Sequence, residues 1–192
     1  MYQFLVDAWA TLRLKFYPVT HYRYSLSITV LVLLTLGLIN AASMPPFFTG
    51  TQAGLIGFAI TLTVLRWLTL CLVMKNFLSP NSPLLAWSGY ILVTEALMMP
   101  LVMLLYFPEI MAVPGFLWLG WIMTVQLIGF IQISKLKPSK IILAYVLYFF
   151  CAIFAGTILL FVFFNMGWLD LESTLKSMEQ FMNLPDTYIS GQ

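Results

Sequence analysis

Apolar residues fall into five blocks of about twenty, at 24–42, 54–74, 84–106, 115–134 and 141–164, and most polar residues lie between or beyond them. Each block is long enough to cross a bilayer as a helix. The breaks carry turn chemistry: Met44-Pro45-Pro46, the prolines at 80 and 83, Phe107-Pro108-Glu109, and Lys137-Pro138-Ser139. In lipid a backbone must satisfy its hydrogen bonds within its own segment, and no run of short alternating strands is present. The expected fold is therefore all-α: a polytopic bundle of five transmembrane helices at 24–165, with amphipathic segments at 1–23 and 166–192.

Composition agrees with the pattern. The 192 residues are 61% hydrophobic and 8% charged, which excludes an ordinary soluble domain. The net charge of +2 sits beside the apolar blocks, so no basic surface for nucleic acid is expected, and the lipid bilayer is the first partner. Arg13, Lys15, Arg23, Lys75, Lys135, Lys137 and Lys140 all fall on one side of a five-span topology. That side is expected to be cytoplasmic, which places the N-terminus inside and the C-terminus outside, in a bacterial inner membrane. A cleaved signal peptide ending near Asn40-Ala41-Ala42-Ser43 is the rival reading of the first block. The 23 residues before that block are too long and too patterned for a signal n-region.

Those leading residues repeat Phe4, Leu5, Ala8, Leu12 and Phe16 at helical spacing, as in a helix lying on the inner membrane surface and anchoring span one. His21 reads as an interfacial residue beside Arg23. Beyond the last block, Trp168, Leu171, Leu175, Met178 and Met182 recur at similar spacing behind Asp170, an N-cap candidate. A second amphipathic helix is expected there, on the outer leaflet or against a membrane-protein partner or second copy, and a loose tail from Pro185.

Three polar side chains interrupt the blocks. Arg66 lies roughly 12 Å from the inner boundary, Glu95 roughly 16 Å and Gln126 roughly 12 Å, at 1.5 Å per residue. A lone charge at such depth costs about 2.5 to 3.5 kcal/mol, and a facing opposite charge offsets part of that. The expected arrangement is a polar seam of Arg66, Glu95 and Gln126, with span three kinked at Pro100. As a structural ion pair the seam fixes helix register; as a working site Glu95 exchanges a proton or touches a substrate.

Catalytic chemistry finds little to assemble. One His, scattered carboxylates, and no HExxH, GxSxG or phosphate loop leave no catalytic residue, cofactor or metal ligand to name. Ser88 and Thr94 have no histidine to activate them. Cys71 and Cys151 fall at different depths in apolar blocks and are expected to be free thiols.

The five-span topology, the Pro18-containing aromatic and basic entry to span one, the Gly89-Tyr90 of WSGYILVTEALMMP with Pro100 downstream, and the basic turn KLKPSK together resemble the Yip family of Ypt/Rab-interacting membrane proteins, over residues 10 to 165. The short N-terminal region is closer to bacterial relatives. Eukaryotic members engage small GTPases partly through a long cytosolic region, so Rab-type GTPase binding is not expected of this form. The resemblance implies a non-enzymatic scaffold or adaptor in membrane organisation or complex assembly. The alternatives are a small transporter or channel-like component using Arg66 and Glu95, and an accessory subunit of a larger membrane complex.

Overall fold

The computed structural model describes residues 1–44, 48, 50–80, 83, 86–170, 172, 174 and 176. Among them are seven α-helices: α1 (Tyr2–Leu12), α2 (Leu26–Ser43), α3 (Gln52–Leu78), α4 (Ser88–Ala96), α5 (Met103–Tyr106), α6 (Pro108–Ser134) and α7 (Pro138–Asn165). Short 3₁₀ turns occupy Val19–His21 and Met99–Val102. Four helices, α2, α3, α6 and α7, are long and apolar enough to cross a membrane. Gly50 and Leu169 form an isolated antiparallel bridge, and no strand occurs among the described residues.

Helix ends follow local chemistry. Thr51 caps α3, its hydroxyl accepting from Gly54 N–H at 3.1 Å. Proline opens α6 and α7, where its missing N–H is no loss. Lys135, at φ 57°, closes α6 in the left-handed region before the three-residue basic turn into α7. At the other end of α3, the Trp87 indole donates to Ser79 Oγ at 2.8 Å and closes the connection to α4.

The third apolar block is not one kinked helix. Its α-helix stops at Ala96, before Pro100, and resumes only after a 3₁₀ turn. Proline has no N–H for the Ala96 carbonyl and pushes the residue before it away from the helical region, so the break lies one turn upstream of Pro100. Leu101 N–H bonds to Met98 at 3.0 Å instead of Leu97, and the Leu97 carbonyl thereby freed takes the Trp118 indole of α6 at 2.9 Å. The fourth block is longer than expected: α6 begins at Pro108, so Phe107-Pro108 is a boundary between helices and not a loop.

The core lies where α2, α3 and α4 pack together with α1 and the second half of α6. Tyr90, Phe130, Leu70, Met74, Ile91 and Leu92 are essentially inaccessible there. Tyr90 and Phe130 meet edge to face at 5.1 Å, a favoured aromatic geometry. By contrast α7 packs along α3, barely on α6, and leaves Phe149, Phe150, Phe154 and Phe161 bare. A helix apolar on every side suits lipid contact.

The N-terminal segment is docked into protein. Phe4, Asp7 and Thr11 face inward at i, i+3 and i+7, while Ala8 and Leu12 pack near Leu97, just past α4, and Ile122 and Val125 of α6. Tyr2, Leu5 and Trp9 remain exposed. Of the expected C-terminal helix, Leu171, Leu175, Met178, Met182 and the tail from Pro185 lie outside the described residues. Glu172 N–H does bond to Asp170 Oδ1 at 3.0 Å, as at a helix start.

Candidate functional site

An uninterrupted α3 places Thr63 and Arg66 one turn apart on the same face. Across from them α2 presents Leu36, Ile39 and Asn40, and α4 presents Glu95 in its last turn. These residues, with Met98, Leu101 and Leu119, line a cavity of about 250 Å³. The Asn40 amide donates to Thr63 Oγ1 at 2.9 Å, and that hydroxyl donates to Ala59 O at 2.8 Å. Both polar groups are thus engaged with each other and the backbone.

Arg66 and Glu95 share this cavity, yet no ion pair within 4.0 Å joins them. Arg66 is exposed in the chain and Glu95 half-buried. Tyr148 of α7, as a charge neighbour and polar side-chain partner, and then Glu95 act on the guanidinium. Glu95 also sits at the C-terminal end of α4, where helix carbonyls add to its negative potential. The result is one positive and one negative pole, separated, in a small compartment with apolar walls.

Gln126 belongs to a different network. Its amide donates to Thr94 Oγ1 at 2.8 Å and its carbonyl oxygen accepts from Tyr145 at 2.7 Å, tying α6 to α4 and α7. Thr94 in turn donates to Ile91 O at 2.9 Å. Consecutive residues on a helix point about 100° apart, so Thr94 faces α6 while Glu95 faces α3. The expected layer of three therefore divides into a closed hydrogen-bond network and an open two-charge cavity.

Sequence reasoning did not single out Asp7. It is 2% exposed, and its carboxylate accepts from Tyr24 Oη at 2.7 Å and lies 3.0 Å from His21 Nε2. Its signal was present: an acid inside the helical stripe of Phe4, Ala8 and Thr11, with one histidine a short loop away. His21 thus faces an acid as well as the interface. Among the described residues no group of three or more His, Cys, Asp or Glu side chains comes together as a metal site. Cys71 is buried, Cys151 half-buried, and both are free.

No family model, curated protein or solved structure matches the chain.

Proposed function

We propose that the chain is a non-enzymatic multi-pass protein of a bacterial inner membrane, and that the cavity between Arg66 and Glu95 binds a small polar solute, as in a small transporter or channel-like component. The observation that carries this reading is the separation of the two charges. Two bare charges at mid-bilayer are costly, and direct contact is the simplest relief. Their placement in one cavity without contact keeps both available to a third group.

Five crossings, the topology implied by the Yip resemblance, fit the helix ends. Gly50 meets Leu169, so the start of α3 and the end of α7 share a side. The three-residue turn puts the end of α6 beside the start of α7, on the opposite side. The chain leaves α3 on that opposite side and enters α6 on the first, which asks the broken segment of α4 and α5 to traverse. All seven basic residues named above then share one face, as the positive-inside rule favours.

A double-mutant cycle on thermal stability in detergent, with Arg66→Ala, Glu95→Ala and both, tests the reading. The expected coupling is that of charges sensing each other across a gap, under about 1 kcal/mol, with both single variants folded. Coupling of about 1 to 3 kcal/mol would instead mark a structural pair and put the scaffold, adaptor or accessory-subunit function ahead.

A further inference from the structure

We infer that the Arg66–Glu95 cavity takes a short zwitterion, its carboxylate on Arg66 and its ammonium on Glu95. This rests on the solute-binding reading above and adds the chemical class of the solute.

Charge balance is the first ground. A bound anion answers Arg66 and leaves Glu95 bare beside a second negative charge; a bound cation does the reverse. A solute with both charges satisfies both poles and keeps the occupied cavity neutral, which matters where uncompensated charge is most costly. Asn40 and Thr63, bonded to each other, do not neutralise either pole.

Geometry is the second. The guanidinium on α3 offers the planar donor fork that suits a carboxylate. The opposite pole combines the Glu95 carboxylate with the C-terminal end of α4, which draws a cation. Since the charges lie beyond ion-pair distance, the solute bridges the gap between them, with Tyr148 of α7 beside the guanidinium as a further polar neighbour for its carboxylate.

Size is the third. The cavity, about 250 Å³, lies just below the usual range of about 300 to 1,000 Å³ for small-molecule pockets. Leu36, Ile39 and Leu119 provide walls with no further charge, so a long polar side chain on the solute has nothing to meet.

The test uses the full chain in detergent and radiolabelled glycine, β-alanine and γ-aminobutyrate, which step the charge separation. For each, the carboxylate-only and ammonium-only partners serve as competitors, acetate and methylamine for glycine, butyrate and butylamine for γ-aminobutyrate. At least one zwitterion is expected to bind saturably, with its single-charge partners at least tenfold weaker. Glu95→Gln is expected to abolish that preference, binding butyrate as well as γ-aminobutyrate. Leu119→Trp, which fills the cavity without altering either charge, is expected to weaken the zwitterion at least tenfold. A single-charge partner binding the unaltered protein as tightly as the best-bound zwitterion overturns the zwitterion and leaves the solute-binding cavity standing. Absence of saturable binding by any zwitterion up to about 10 mM overturns it too; strong Arg66–Glu95 coupling in the stability cycle would then remove the cavity reading as well.

Discussion

Tyr24, just ahead of the first span, donates its hydroxyl to the buried Asp7 carboxylate at 2.7 Å and so ties the N-terminal helix to the chain that enters the bundle. His21 approaches the other carboxylate oxygen at 3.0 Å. Hydrogen bonds to a charged group contribute about 1.5 to 3 kcal/mol each. Asp7→Ala is therefore expected to lower stability by about 2 to 4 kcal/mol. Trypsin should also cut at Arg13 and Lys15, which already lie at the surface, faster than in the unaltered protein. Unchanged cleavage and melting temperature would show that α1 is held by its apolar contacts alone.

Gly89 sits against the Tyr22 backbone, and a methyl group there would overlap the Tyr22 carbonyl oxygen. Backbone on both sides leaves no flexible tip to yield. Gly89→Ala is expected to cost about 1 to 3 kcal/mol, the usual range for overpacking, or more. Gly120, with nothing within 4 Å, is the control: Gly120→Ala should be neutral or stabilising by about 0.5 to 1 kcal/mol. Equal effects at the two positions would contradict the packing described for Tyr22.

Gln126 bridges Thr94 and Tyr145 across three helices. Interhelical hydrogen bonds in membranes average near 0.6 kcal/mol, so Gln126→Leu, which keeps the volume, should cost about 1 to 2 kcal/mol. Gln126→Ala adds a cavity and should cost more. Neither change should alter solute binding at Arg66 and Glu95, since the two networks face different sides of α4. A Gln126 variant that melts normally but loses binding would reunite the two halves of the seam.

Burial pushes the Tyr22 phenol above its usual value near 10. A group whose folded value is raised contributes stability that is complete below the unfolded value and is lost as pH climbs through the folded one. The Tyr22 region should therefore hold to about pH 10 and loosen above it. Tyrosinate absorbance should be the same for the unaltered protein and Tyr22→Phe up to that pH. About half a tyrosinate more in the unaltered protein at pH 10 would show the phenol open to water.

The long spans were legible because length and apolarity alone specify a membrane helix. At the third block that logic reached its limit: composition cannot distinguish a continuous helix from one ended by Pro100, where the freed Leu97 carbonyl takes the indole of Trp118 from another helix. Counting along the blocks set Arg66, Glu95 and Gln126 in one expected layer, but their partition was not readable. It depends on the rotation of α4, and blocks that are apolar all round carry no marker of rotation. Asp7 was hidden for another reason. An acid in an amphipathic leader reads as solvent-facing unless its partners, His21 and Tyr24, are known to fold back on it.

The Trp168 carbonyl accepts the N–H of Thr51 at 3.2 Å across 117 residues of sequence. During synthesis the α2–α3 hairpin is complete long before Trp168 exists, so the first turn of α3 waits for its last backbone partner until α7 has crossed. Assembly of this protein thus has a built-in order: the hairpin can form early, but the rim at the start of α3 is finished only by the arrival of the final long helix. A chain stalled between α6 and α7 would leave the Thr51 N–H still without that partner.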